Sequence, residues 1–144
     1  MQYREVTTDR LFTLRLSSGR DWREQLEDFA EREDVTAGWF VGLGAVRAAE
    51  LWYYDQEAGQ YEPFDVEEPM EVASCVGNLS LLDGEIFAHT HAVLSDATGR
   101  SIAGHLNRAE VFAGEVFVHG FDRPLERTPD AITDLDLWNL EHGG

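Results

Sequence analysis

The chain has 144 residues, of which 43% are hydrophobic and 11% aromatic; this suits one folded domain and excludes a disordered protein. No apolar run approaches the ~18 residues of a membrane span, and the start, MQYREVTTDR, lacks the apolar segment of a signal peptide. We therefore expect a cytoplasmic protein without membrane contact. The lone cysteine, Cys75, excludes an internal disulfide and a metal site built from several cysteines.

The charge is strongly unbalanced, with 28 acidic residues against 11 basic ones and a net charge of −17. All 11 basic residues are arginine, and the carboxylates are spread along the whole chain. Such a surface repels phosphate backbones at low salt. A lysine-free, acidic composition is typical of haloarchaeal proteins, so we expect a halophilic source. The negative charge then reports the habitat rather than a partner.

The predicted elements begin with a strand, LFTLRL, whose apolar residues alternate. In the next segment, DWREQLEDFAERE, apolar residues recur at helical spacing and Asp21 is a suitable N-cap. From Gly38 onward the pattern predicts strands: GWFVGLGAV, AAELWYYD, YEPFDV, MEVASCVGNLSLL, EIFAHTHAVL, SIAGHL and AEVFAGEVFVHGF. The prediction is an α+β domain over residues 1–121, mostly antiparallel β-sheet with one main N-terminal helix packed on it. Residues 122–144 are predicted to form an acidic, loosely held tail anchored by Leu135, Leu137, Trp138 and Leu140.

Two turns fix the expected strand register. Asp83-Gly84 is a strong two-residue hairpin signal, which pairs Asn78 with His89. The segment 97–99, Ala-Thr-Gly, fits a three-residue hairpin with glycine in the left-handed conformation. That second turn places His91 directly opposite His105.

This register gives the three strands one apolar and one polar face. The predicted core face contains Cys75, Leu79, Leu81, Ala88, Ala92, Leu94, Ile102 and Leu106. The other face carries Ser74, Asn78, Ser80, His89, His91, Ser101 and His105, with Phe87 and Val93 as apolar exceptions.

Three of the five histidines therefore meet on one face. Residues two apart on a strand point the same way, and directly opposed Cβ atoms lie ~4.5–5.5 Å apart. Three imidazoles with an open fourth position suit one divalent transition metal per chain, best Zn²⁺, although Ni²⁺, Co²⁺ or Fe²⁺ would also accept them. The predicted ligands are His89, His91 and His105. Asn78 and Glu85 are candidates for contacts with these ligands from outside the coordination sphere. The alternative is three strand histidines without a metal, and a one-residue slip would send His105 to the core.

Several segments resemble the PPC domain, a domain conserved in plants and prokaryotes: GWFVGLGAVRAAELWYYD, MEVASCVGNLSLLDGE, HTHAVLSDATGRSIAGHL and AEVFAGEVFV. The resemblance spans roughly residues 5–120 and is of the stand-alone prokaryotic type. It implies a homotrimer, a DNA-binding label, and metal ligands at the three histidines. One departure is Ala103 before Gly104-His105, where the family often has a second glycine. The basic AT-hooks through which the plant proteins bind DNA do not occur in this sequence.

Three functions follow as hypotheses. The first is a non-enzymatic, metal-binding homotrimer that acts as a DNA-associated or regulatory module. The second is a metal-dependent enzyme, with Glu85 or Glu115 as general base. The third is a sensor that binds a small ligand on the metal.

Overall fold

A computed structural model of the protein describes residues 1–140. Its fold is mostly antiparallel β-sheet with one short helix in the described part of the chain, which agrees with the predicted α+β class. The elements in chain order are β1 Thr8–Leu16, α1 Trp22–Arg32, β2 Gly38–Asp55, β3 Gln60–Val66, β4 Met70–Leu82, β5 Glu85–Ser95, β6 Ser101–Phe121, β7 Arg127–Pro129 and β8 Asp136–Trp138.

The main sheet closes on itself. Its strand order is β1-β6-β5-β4-β2-β3, and β6 also pairs with β2. The strands β2, β4, β5 and β6 therefore form a continuous ring, which leaves fewer unpaired edges than an open sheet would. The small strands β7 and β8 form a separate antiparallel pair.

Two predicted pairs of strands are single long strands. The segments GWFVGLGAV and AAELWYYD form the continuous β2, and SIAGHL continues into AEVFAGEVFVHGF as β6. A bulge between Gly42 and Gly44 bends β2 without ending it. Gly44 has a φ of 154°, and a Cβ atom there would lie 2.1 Å from the carbonyl oxygen of Ala113. The two glycines thus permit a close approach of β2 and β6 at this bend.

Helix α1 begins as predicted at Asp21, whose Oδ1 accepts a hydrogen bond of 2.9 Å from the Glu24 amide. The other carboxylate oxygen accepts from the Ala109 amide at 2.8 Å, which ties the start of the helix to β6. Trp22, Leu26 and Ala30 are fully buried against the sheet. The helix therefore covers one side of the ring, next to β5 and β6.

The predicted hairpin register is confirmed. Leu82 pairs with Glu85, Asn78 with His89, and His91 with His105. Gly84 and Gly99 have φ values of 84° and 83°, the left-handed conformation that both turns require. The predicted core face is buried or partly buried except for Ile102, which is 37% exposed and lies one pair away from the turn between β5 and β6.

The C-terminal segment contacts the sheet at an unpredicted point. Leu125 is 5% exposed, and its carbonyl accepts a 2.7 Å hydrogen bond from the Leu81 amide. Of the predicted anchors, Leu137 and Trp138 are more than 40% exposed, while Leu135 and Leu140 are partly buried. Residues 141–144 of the predicted tail lie outside the described residues. Among residues 1–140, no helix is both long enough and apolar enough to cross a membrane.

Candidate metal centre

Two strand ladders bring the three histidines together. His89 and His91 lie two positions apart on β5, so both side chains leave the same face. His105 lies on β6 directly opposite His91, at the last pair before the two strands separate. On its other side, His105 is opposite Trp52 of β2.

The resulting cluster is compact. One nitrogen from each of His89, His91 and His105 can be chosen so that all three lie within 4.8 Å of one another. The ring centroids are 5.1 Å apart for His89–His91 and His89–His105, and 5.5 Å apart for His91–His105. Nitrogens that share a tetrahedral Zn²⁺ lie about 3.4 Å apart. Small side-chain rotations would therefore bring the three imidazoles onto one ion.

Burial keeps the cluster neutral. His105 is 7% exposed, and its burial, together with the nearby His89 and His91, lowers its pKa to about 3. Burial and the positive charge of Arg127 lower the pKa of His89 to about 4. His91 is the exposed member, and partial burial lowers its pKa as well. Neutral imidazoles have a free lone pair, which metal binding requires.

Arg127 of the C-terminal segment lies directly behind His89. Its Nε donates to Ser80 Oγ at 2.8 Å, and its Nη2 donates to Asn78 Oδ1 at 2.8 Å. The same Nη2 is 3.3 Å from Nδ1 of His89. Its Nη1 donates to the backbone carbonyl of Asp136 at 2.7 Å. The guanidinium thus joins β4, β5 and the C-terminal hairpin.

Aromatic rings complete the surroundings of the cluster. Trp52 is stacked on His105 with centroids 6.0 Å apart, and Tyr61 is 5.4 Å from the same imidazole. The orientation of Trp52 is set by Glu50, whose Oε1 accepts a 2.7 Å hydrogen bond from the indole Nε1. Phe87 is stacked on His89 at 6.1 Å. These rings restrict the imidazoles from several sides.

A cleft of about 450 Å³ opens beside the cluster, where β5 and β6 separate. Its walls include His89, His105, Arg23 and Asn107. Aromatic walls come from Trp52, Tyr61 and Phe87, and the C-terminal segment contributes Arg127 and residues 134–137. A small molecule in the cleft would therefore reach His89 and His105.

The structure brings Asn78 to the cluster through Arg127, but it does not bring the other polar residues there. Four residues of strand, about 13 Å, separate Glu85 from His89. Glu115 is ten residues along β6 from His105, about 33 Å. Arg100 is paired with Asp96 at the far turn. Neither glutamate is therefore placed to act as a general base at the histidines.

Two further residues with reactive side chains lie outside the cluster, and Cys75 is on the core face as predicted. Cys75 is fully buried in the core, and burial raises the pKa of its thiol to about 12. His119 is stacked on Trp39 with centroids 4.7 Å apart. It lies at the far end of β6 from His105 and does not join the cluster.

Sequence reasoning missed Arg127, Trp52, Arg23 and the cleft itself. Arg127 is one of many polar residues in the C-terminal segment, and no sequence pattern there indicates that its side chain reaches the histidines. The opposition of Trp52 and His105 depends on register shifts in the β2–β6 ladder. A count of residues from the nearest turn would not locate those shifts.

The comparisons with known proteins identify the family. A model of the Plants and Prokaryotes Conserved (PCC) domain, also written PPC, matches residues 3–122. The chain belongs to this family. The match covers the sheet, the helix and all three histidines, so the resemblance found in the motifs is confirmed.

Solved structures agree with the PCC assignment. The metal-containing protein AF0104 from Archaeoglobus fulgidus is 40% identical, with a TM-score of 0.92 over 96% of this chain and 99% of that one. A proposed DNA-binding protein from Ralstonia eutropha JMP134 is 26% identical, with a TM-score of 0.83 over 97% and 96% of the two chains. The PCC fold therefore extends over nearly the whole chain in proteins of similar length.

A curated relative places a similar segment in a larger protein. The bifunctional protein GlmU of Synechococcus sp. (strain JA-3-3Ab) is 30% identical over 128 residues, which is 86% of this chain. The chain spans about a fifth of that relative's length, since the match covers 19% of it.

The residues of the cluster fit a divalent transition metal. Three neutral imidazoles are a donor set that Zn²⁺, Co²⁺ and Ni²⁺ accept. Nδ1 of His105 is buried and has no hydrogen-bond partner among residues 1–140. A buried polar atom without a partner is costly, and a metal ion would relieve that cost if His105 turned this nitrogen toward it.

Proposed function

We propose that this PCC-domain protein is a non-enzymatic metal-binding module that holds one divalent transition metal per chain, best Zn²⁺, on His89, His91 and His105. The observation that carries the proposal is the convergence of three depressed-pKa imidazoles within 4.8 Å, one of them with an orphaned buried nitrogen. Among residues 1–140 no carboxylate joins the group, and the glutamates considered as general bases are distant. The lack of a general base at the histidines in this part of the chain therefore favours a metal-binding role without hydrolysis. The metal-containing relative from Archaeoglobus fulgidus supports the same conclusion.

The module acts as a homotrimer in this proposal. A row of directly paired residues crosses the outer sheet face, with Phe117 opposite Val41, Val41 opposite Val76, and Val76 opposite His91. Phe117 and Val76 are 60% and 47% exposed, although a sheet face this apolar is usually covered. A second copy on this face would lie against His91, the exposed ligand. Metal binding and assembly would then stabilise each other.

A DNA-associated role is the further part of the proposal, supported by the name of the Ralstonia relative. A net charge of −17 per chain opposes binding to phosphates, so arginines would have to cluster on one face of the trimer. We propose that the acidic surface is an adaptation of a cytoplasmic protein to high salt. The test is a gel-shift assay in multimolar KCl. Retardation at micromolar trimer supports direct binding, and its absence rejects it.

Elemental analysis of the untagged protein tests the metal site. We expect about one metal ion per chain in the wild type and none in the variants His89→Ala, His91→Ala and His105→Ala. His119→Ala is the matched control, because it removes an imidazole that stacks on Trp39 at the far end of β6. Its metal content should equal that of the wild type. Equal metal content in all five proteins, or no metal in any of them, would reject the three-histidine site.

Light scattering tests the assembly. The wild type should have three times the mass of one chain, and Phe117→Ser should shift it toward the monomer. Phe112→Ser is the matched control. The Phe112 side chain is 58% exposed, close to the 60% of Phe117, but it contacts Arg47 and is not part of the row. A monomeric wild type, or a Phe117→Ser variant that stays trimeric, would show that the row is not the interface.

A further inference from the structure

The cleft beside the histidines carries positive charge in a strongly acidic protein. Arg23 and Arg127 both line it, and a bound divalent metal would add two further charges. Its lining carboxylates, Asp134 and Asp136, are on the exposed C-terminal hairpin, where salt screens them. Arg23 is paired with Glu27 at 3.5 Å. At the histidine end of the cleft, Arg23 and Arg127 both act on His105, and Arg127 also acts on His89. Asp136 offsets part of the Arg127 charge, and a bound metal would add to the positive side.

Among residues 1–140, the hydrogen-bond acceptors of Arg127 are all neutral. They are Ser80 Oγ, Asn78 Oδ1, the Asp136 carbonyl and His89 Nδ1. Within residues 1–140 no carboxylate oxygen lies within 4.0 Å of its side-chain nitrogens. A partly buried guanidinium without a carboxylate in direct contact is a favourable partner for a further anion.

Metal binding would release one of these hydrogen bonds. The Nη2 of Arg127 can only donate, so in this contact the Nδ1 of His89 must provide the lone pair. A neutral imidazole that binds the metal through Nδ1 no longer has that lone pair free. If it binds through Nε2, Nδ1 carries the hydrogen and repels the donor. In both cases an Arg127 N–H would lose its acceptor on His89.

The remaining walls suit a ring. Trp52 and Tyr61 lie beside His105 with centroids 5.4 Å apart, and Phe87 lies on the His89 side. The volume of about 450 Å³ is within the range of small-molecule sites. Aromatic walls contribute apolar contact area with a planar ligand, whereas a carboxylate alone would leave them unfilled.

We propose that the cleft binds a small organic carboxylate with a ring-sized apolar body, with its carboxylate on the metal and on the released Arg127 N–H. The inference rests on the proposed metal site, whose open position the carboxylate would take. It names the ligand class that such a metal module would sense. The ring would contact the aromatic walls of the cleft.

The experiment is calorimetric titration of benzoate into metal-free and Co²⁺-loaded protein, with the visible Co²⁺ spectrum recorded for the loaded sample. We expect benzoate to bind the loaded protein, change the spectrum, and bind about tenfold more tightly than acetate, which lacks the ring. Benzamide, which has the ring without the charge, should not change the spectrum. Arg127→Gln should weaken benzoate about tenfold or more, and Arg127→Lys should weaken it less. Arg100→Gln is the control, since Arg100 is 85% exposed at a distant turn.

The outcomes separate the two proposals. Stoichiometric Co²⁺ with no benzoate binding, or with equal affinity in Arg127→Gln, overturns the carboxylate site and leaves the metal site standing. Equal affinity for acetate and benzoate overturns the proposal that the ligand has a ring-sized apolar body. A protein that takes up no Co²⁺ contradicts the metal site. In that case Arg127-dependent binding of benzoate to metal-free protein supports the anion site, and no binding overturns it.

Discussion

The histidine cluster is bounded by two regions that are held in different ways. On one side, the histidines lie in two antiparallel ladders. The β4–β5 ladder runs without a register shift from Ser74–Val93 to Leu82–Glu85, and the β5–β6 ladder runs from Ser95–Ser101 to His91–His105. On the other side, the C-terminal segment is held near the site mainly by the buried Leu125, the Arg127 side chain and a hydrogen bond from Tyr54 to the Thr133 carbonyl. The ladders fix all three imidazoles, whereas the segment supplies the guanidinium and one wall of the cleft. Metal ligation should therefore survive changes in the segment that alter the cleft.

The largest expected effect is the loss of metal-dependent stability when a ligand is removed. At Zn²⁺ a thousandfold above its dissociation constant, binding adds about 4 kcal/mol to the free energy of unfolding. His105→Ala should lose nearly all of this increment, and Arg127→Ala should retain most of it. Urea unfolding with and without Zn²⁺ measures the increment for each variant, so that changes in the metal-free protein cancel. If Arg127→Ala loses as much of the Zn²⁺-dependent increment as His105→Ala, the C-terminal segment is as important for metal binding as the hairpins. That result would contradict the expected difference between the two regions.

The second effect concerns the attachment of the C-terminal segment. Leu125→Ala should lower the free energy of unfolding of the metal-free protein by about 3 kcal/mol, because the side chain is buried against the sheet. Leu137→Ala, at a position 43% exposed, should cost less than about 1 kcal/mol. Hydrogen exchange of the Leu81 amide, which donates to the Leu125 carbonyl, distinguishes local detachment from global unfolding. A Leu81 amide that exchanges equally slowly in both variants would mean that the segment is held elsewhere.

This contrast also explains what could be predicted from the sequence. The turns Asp83-Gly84 and Ala97–Gly99 fix register locally, so the opposition of His91 and His105 followed from counting residues. The helix and its cap at Asp21 were likewise local features. These signals were sufficient for the α+β class and for the three clustered residues.

The remaining features depend on contacts between distant parts of the chain. The closure of the ring through β2 and β6 includes three register shifts, none marked by a turn. Arg127 reaches Asn78 and His89 across 49 and 38 positions of sequence, and its neighbours Glu126 and Thr128 are equally polar. Leu125 looked no different from the leucines at 135–140, yet it is the buried one. Long-range packing determines which of these similar residues is buried or reaches the site, and sequence periodicity carries no information about such packing.

The smallest expected effect is a pH dependence that comes from the ladder side of the site. An unfolded histidine titrates near pH 6.5, whereas burial lowers the pKa of His105 to about 3 in the folded protein. Between these values the unfolded chain binds a proton that the folded chain does not. The free energy of unfolding of the metal-free protein must therefore fall as the pH decreases below about 6.5, and His105 should contribute nothing to pH dependence well above it. From pH 6.5 to 5.5, His105 alone should account for about 1 kcal/mol.

Urea unfolding in chelator between pH 7.5 and 5.5 measures this slope above the range in which most of the 28 carboxylates titrate. His105→Ala should have a shallower slope than the wild type. Arg127→Gln should keep most of the His105 contribution, because burial is its main cause, while relieving the charge that acts on His89 and, more weakly, on His105. NMR titration of the His105 ring gives the folded pKa directly. A midpoint near 6.5 would mean that the ring is open to water, and the neutral, buried ligand set would then have to be formed by the metal rather than by the ladders.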